Sequence, residues 1–194
     1  MAMCLVSAVS VAAAEQEVGP REQAAKQTAV AFMKELGGSL NLHLAQGDAV
    51  AAITVCKDIA PTIANRYSRE NGWKVTRVGT RVRNPMIGTP DAWEQEVLVQ
   101  FEERIRRGEN HAGMSFSEVV SEPGGQYFRY MQAIGVAPAC LSCHGDTQAI
   151  GDVMRKRLQL EYPHDQAVGY QVGELRGAVS IKQPLATADV RSGH

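Results

Sequence analysis

The sequence predicts an α+β domain in which an antiparallel sheet carries helices on one side. Three observations lead there. Two long N-terminal stretches repeat apolar residues at three- and four-residue steps, about five later stretches read as strands, and shorter helical segments are interspersed among them. With 194 residues and 44% hydrophobic content the chain can bury one core, so a single domain is expected. A net charge of -1 leaves no broad basic surface, which argues against nucleic acid and anionic lipid as partners.

The first helix is expected from Arg21 to about Leu44, with Ala24, Thr28, Ala31 or Phe32, Leu36 and Leu40 on one stripe and Gly37-Gly38 weakening its middle. Gly47 breaks it, and Asp48 can cap a second helix through about Glu70. There Ile53, Cys56, Ile59 or Ala60, Ile63 and Tyr67 line one face. Pro61, lacking a backbone donor, is expected to bend this helix just after Cys56. Trp73–Val78 alternates as a strand, and Thr80–Arg83 beyond Gly79 reads as another. Asn84-Pro85 and Gly88-Thr89-Pro90 punctuate a loop. Thr89 with Pro90 is expected to start a third helix, in which Trp93, Val97, Phe101 and Ile105 recur by four. Its basic end, Arg104, Arg106 and Arg107, suits the helix dipole. Ala112–Ser121 and Gln126–Val136 form a hairpin around Pro123-Gly124-Gly125. A helix over Thr147–Tyr162, a polar loop over Pro163–Glu174 and a last strand, Gly177–Lys182, complete the series.

Residues 1–14 are nearly all small or apolar and end in Ala12-Ala13-Ala14, the pattern of a signal peptide with an A-x-A cleavage site, although no Lys or Arg precedes the apolar run. The run is too short to span a bilayer. The expected division is therefore a leader (1–14), one domain (15–185) and a flexible tail (186–194), with the mature chain exported to the periplasm and carrying no membrane span.

Between the hairpin and the following helix stands Cys140-Leu141-Ser142-Cys143-His144, the pattern for covalent attachment of a c-type haem. The two thiols can add to the vinyl groups on one porphyrin edge, and the adjoining imidazole can then meet the iron. Chance would produce the pattern in roughly two chains per thousand of this composition. A zinc site would want a second Cys/His pair at knuckle spacing, which the sequence lacks. A thioredoxin-like pair would want a strand-to-helix setting, whereas Gly135–Ala139 reads as a loop.

If the leader is removed with Cys4, and the haem takes Cys140 and Cys143, Cys56 is left as a lone thiol. It is either a small buried hydrophobe or a second iron ligand. Met86, Met114 and Met131 are rival sulfur donors, while His43, His111, His164 and His194 read as solvated imidazoles. For the haem propionates the candidates are Arg81, Arg83 and Arg129, with Arg83 preferred. Tyr127 and Tyr130 are expected to pack on the haem or the core.

Val55–Pro61, Arg83-Asn84-Pro85, Pro90–Glu94, Tyr127–Tyr130, Cys140–Gly145 and Gly173–Gly177 occur in an order that resembles a c-type haem domain family with a PAS-like fold, once a domain of unknown function. The resemblance covers about residues 22–185. It implies a PAS-like antiparallel sheet behind a long helical N-terminal region, with His144 and Cys56 as the axial ligands. Related domains serve as periplasmic sensor regions, so the resemblance implies redox sensing, or sensing of a small ligand such as NO or CO, through a separate signalling or redox partner. A soluble periplasmic electron carrier is the alternative. A peroxidase-like enzyme would need a distal acid/base pair that cannot be read here, and the oligomeric state stays open.

Overall fold

The structure, a computed structural model, describes residues 8–46 and 50–185, with side chains from Val18 onward. Leader residues 1–7, the expected breaker Gly47 and cap Asp48, and the tail 186–194 lie outside the described residues.

Helix α1 runs from Ala8 to Ala45, unbroken through both Pro20 and Gly37-Gly38. It therefore begins well upstream of Arg21 and includes the C-terminal half of the expected leader. Its buried stripe is Ala25, Thr28, Ala29, Phe32 and Leu36. A second helical run follows in three pieces: α2 (Ala52–Thr54), a π-helical turn (Val55–Ile59) and α3 (Ala60–Asn71). The π turn closes where Ala60 N–H donates to the Val55 carbonyl, one residue before Pro61, which has no N–H to offer. The perturbation thus lies at Cys56 itself. The wider turn also shifts the helical phase. Val55 and not Cys56 joins Ala60 and Ile63 in the α1-side core, while Ile53 packs with α7 residues and Cys143.

Strand β1 (Lys74–Gly79) follows, then α4 (Pro85–Gly88), α5 (Ala92–Arg106), β2 (Ser115–Glu122), β3 (Gly125–Gly135), a 3₁₀ turn (Pro138–Cys140), α6 (Leu141–His144), α7 (Asp152–Glu161) and β4 (Leu175–Pro184). Among the described residues the sheet has four strands in the order β1-β4-β3-β2, every neighbouring pair antiparallel. The expected fifth strand, Thr80–Arg83, is a loop. Its apolar–polar alternation is real, but its backbone bonds go elsewhere: Thr80 N–H reaches the Arg176 carbonyl at 3.4 Å and Arg81 N–H the Tyr170 hydroxyl at 3.0 Å. The α5 start also moves. Asp91, not Thr89, is its N-cap, in a capping box with Glu94 that satisfies two orphan backbone donors.

Helices cover both faces of the sheet, which corrects the one-sided arrangement. On one face Val75, Phe128, Tyr130, Val179 and Ile181 pack against Phe32 and Leu36 of α1 and Ile63 of α3. On the other, Val78, Met131 and Ala178 meet Val97, Leu98 and Phe101 of α5. The split follows from the strand period of two, since Tyr130 and Met131 are consecutive yet leave β3 on opposite sides. The result is the expected α+β, PAS-like fold, in which the long α1 lies across the sheet and the β3–β4 connection carries the Cys-x-x-Cys-His motif.

Candidate functional site

The motif lies in two short helical turns directly after β3. Val136 exchanges backbone hydrogen bonds with the returning chain, its N–H donating to Glu174 and its carbonyl accepting from Gly173, both at 2.9 Å. Pro138 then opens the 3₁₀ turn that holds Cys140, and Leu141–His144 completes a turn of α6. Cys140 and Cys143 are both half-buried free thiols. Cys143 packs against Ile53 and Met154, with its Sγ 3.8 Å from the Met154 sulfur. Burial is the main reason that the Cys143 thiol is pushed up, with Ser142 and Arg83 opposing and Cys56 and Cys140 adding to it.

The loop read as merely polar forms the cradle of this motif. Tyr170 N–H donates to the His144 carbonyl at 2.9 Å, and Gly169 N–H to Gly145 at 2.7 Å. His144 Nδ1 lies 2.7 Å from the Ala167 carbonyl. A carbonyl can only accept, so Nδ1 carries the proton and Nε2 keeps its lone pair. That arrangement is typical of a metal-ligating histidine, in which the second-shell acceptor fixes tautomer and ring plane. Burial first, then the charges of Arg83 and Arg176, hold His144 well below the usual imidazole range, so the ring is neutral at pH 7. The Tyr170 ring meets it edge-on, 6.1 Å between centroids.

Arg83 braces the same turn. Its Nη2 donates to the Cys143 carbonyl at 2.5 Å and to Ala167 at 3.3 Å, and its Nε to Asp165 at 3.0 Å. Asp165 in turn accepts from Ala167 N–H at 2.8 Å, so one carboxylate positions both the arginine and the residue that holds His144. Cys56 approaches from the π turn. It is half-buried and close enough to act electrostatically on both Cys143 and Tyr162. Lys57 Nζ, 2.6 Å from Glu161, ties that turn to α7. A cleft of about 420 Å³ opens beside the motif, lined by Val50, Ser142, Ala149 and Gly151–Met154.

The other residues singled out in the sequence fall elsewhere. Arg129 leaves β3 on the α5 face, where Asp91, Glu122 and Glu94 lie at 2.7, 3.2 and 3.4 Å and its guanidinium stacks 4.3 Å from the Trp93 ring. It is not brought to the motif. Tyr130 is fully buried in the α1-side core and donates to Gln132 at 3.1 Å. Arg81 is spent on the Val168 carbonyl and Glu174. Met114 and Met131 lie in the α5-side core, and Met86 is 90% exposed on α4. His43 is tied to the Ser39 carbonyl within α1. Sequence reasoning missed Asp165, Ala167 and Tyr170. The available signal was Tyr170 itself, a large aromatic in an otherwise polar loop.

Fold and site together define a PAS-like domain built around a single Cys-x-x-Cys-His turn, with a third cysteine, Cys56, carried on a π turn. The profile of the Tll0287-like family matches residues 9–184, and the chain belongs to that family. It is also similar to the crystal structure of the cyanobacterial heme-protein Tll0287, with 29% identity and a TM-score of 0.55 over 69% of this chain and 73% of that one. No curated protein sequence matches.

Proposed function

We propose that this chain binds one haem c, joined covalently through Cys140 and Cys143, with His144 and Cys56 as its protein axial ligands. The observation that carries the reading is the His144 Nδ1–Ala167 hydrogen bond, which leaves Nε2 as the donor beside two reduced thiols. The similarity to a heme-protein supports it independently. The bound haem would supply one-electron chemistry at its iron and, once a ligand is displaced, a place for a small diatomic molecule. Each cysteine would add its S–H across a vinyl double bond, the sulfur forming the new C–S bond and the hydrogen going to the neighbouring carbon, so no oxidant is consumed. Arg83 and Asp165 would hold the backbone of the attachment turn still while this happens. As a thiolate, Cys56 would place negative charge on the iron and keep the potential below that of His/Met ligation.

Within this reading the role we favour is redox or small-ligand sensing in the periplasm, through a signalling or redox partner. Cys56 shares its π turn with Val55, which packs under α1, so a change of donor at Cys56 reaches the long helix through one turn of backbone. The second reading, a soluble electron carrier, draws on exposed Val153 and Leu160 of α7. Val153 rims the cleft at Ser142, where an apolar contact would bring a partner close to Cys143.

The test is to express the full chain in a host that exports proteins and attaches haem. One haem that survives denaturing electrophoresis is expected, lost in Cys140→Ala/Cys143→Ala. Rapid CO binding to the ferrous protein, with a spectral shift, supports sensing, whereas an inert six-coordinate spectrum moves the role to electron transfer. A wild-type protein that never acquires haem overturns the proposal, and a mature N-terminus upstream of residue 15 overturns the leader.

A further inference from the structure

We propose that Arg77 of β1 and Arg176 at the start of β4 form a paired guanidinium clamp for the two propionates of the haem. The inference rests on the haem reading above and names residues that neither pattern nor resemblance singled out for it.

Arg77 and Gly79 lie two residues apart on β1 and so face the same side of the sheet, the side of Val75 and the α1 core. Arg176 crosses to that side over Gly79: a Cβ built on Gly79 would stand 2.7 Å from its Nη1. Glycine at 79 is thus what lets the Arg176 head sit over β1, next along from Arg77. From there Arg176 donates to the Arg81 carbonyl at 3.1 Å and lies 5.4 Å from the centre of the Tyr170 ring, the ring set edge-on to His144. Gly177, directly after it, has φ +152° and room for no side chain, since a Cβ would meet the Val78 carbonyl at 2.0 Å. The backbone on both strands is therefore shaped to bring this guanidinium in.

Charge balance supplies the second argument. Arg77, Arg83 and Arg176 stand close enough to act on one another's neighbourhood, and Asp165 is the carboxylate among them. Asp165 is already paired with Arg83 at 3.0 Å. Arg81, the next cation, is balanced by Glu174. Arg77 has no hydrogen bond or ion pair among the described residues, and Arg176 has a carbonyl where a carboxylate would be expected. Burial, with the Arg77 and Arg83 charges against the favourable Tyr170, pushes Arg176 below the usual arginine range. Two half-buried positive charges are left over, and the ligand proposed for this site carries two carboxylates. Planar guanidinium forks suit carboxylates better than point charges do.

The test compares haem-loaded full chains: wild type, Arg77→Gln, Arg176→Gln, the two lysine variants and Arg106→Gln. The last removes the same charge from the exposed end of α5. Resonance Raman reads the propionate bending band, and potentiometry reads the midpoint. The clamp predicts that the glutamine variants shift the propionate band and lower the midpoint, because a lost cation no longer disfavours ferric iron. Lysine should restore most of the midpoint and little of the band, with Arg106→Gln unchanged in both. A band and midpoint unmoved in Arg77→Gln overturn the assignment even if Arg176→Gln fails to fold, since Arg77 makes no structural bond to lose. Failure of the wild type to carry haem at all would instead overturn the underlying reading.

Discussion

On the α5 face of the sheet, Arg129 is enclosed by Asp91, Glu94 and Glu122, while at the motif end of the other face Arg77, Arg83 and Arg176 have one carboxylate, Asp165, within the group. The first cluster surrounds its buried cation with three carboxylates, so Arg129 needs no anion from outside. Glu122 even takes a second cation, Lys182. The second cluster keeps its cationic groups at least half-buried and close enough to act on His144, with Arg83 acting on Cys143 as well. Burying unpaired charge is costly, so the contrast separates an arginine that builds the fold from Arg77 and Arg176, which under the proposal above await a ligand.

The comparison breaks most sharply at Arg129. Replacing it by Met leaves Glu94, almost fully buried, without its cation, and should cost about 3–5 kcal/mol, a fall of roughly 10 °C in Tm. The haem spectrum should not move. A spectral change in well-folded Arg129→Met protein would mean that the two faces are coupled and the separation is wrong. Arg83→Met should cost less, about 2–3 kcal/mol, because it leaves one carboxylate, Asp165, without its cation where Arg129→Met leaves three. It should also disturb the haem spectrum, since the Cys143 carbonyl loses its brace. A purely thermal effect, with spectrum and haem content intact, would demote Arg83 to a scaffold residue like Arg129.

Much of this was readable beforehand. Helix and strand order, the hairpin and the attachment motif follow from period, turn residues and a five-residue signature. Two features were not readable, each for a physical reason. Thr80–Arg83 alternates like a strand, yet its partners are a tyrosine hydroxyl and one carbonyl far along the chain, and alternation cannot reveal which donors are taken. The stripe through Ile53, Cys56 and Ile63 assumed 3.6 residues per turn, but the π turn before Pro61 re-phases it and turns Val55 inward. A third was readable and passed over: Arg129 was placed with the propionates and Tyr130 with the haem or the core, although neighbours on a strand face opposite sides. The period itself forbids a shared pocket, and the structure places them in different layers.

Cys56→Ser sharpens the contrast from the ligand side. The residue is half-buried on a turn whose core contact is Val55, so the exchange should change stability by less than about 1 kcal/mol. If its sulfur is the sixth ligand, the low-spin ferric spectrum should nevertheless convert, and CO should bind the ferrous form faster. An unchanged spectrum would return Cys56 to the role of a small packing residue.

The smallest effect belongs to Asp91, at the rim of the Arg129 cluster. Burial pushes its carboxyl up, but the hydrogen bond from Arg129 and the Glu94 N–H outweigh that, and its pKa lies below the usual 3.8. A carboxylate with a depressed folded pKa stabilises fully above the unfolded value and loses that contribution as pH falls through the folded one. Melting wild type and Asp91→Asn side by side should give a gap that is constant from about pH 7 to pH 5 and narrows below about pH 4. Its size should stay under about 1 kcal/mol, because the carboxylate is 47% exposed and solvent screens the pair. A gap near zero at every pH from 7 to 3 would mean that Asp91 acts through the helix cap alone, where asparagine serves nearly as well, and that Glu94 and Glu122 already neutralise Arg129 without it.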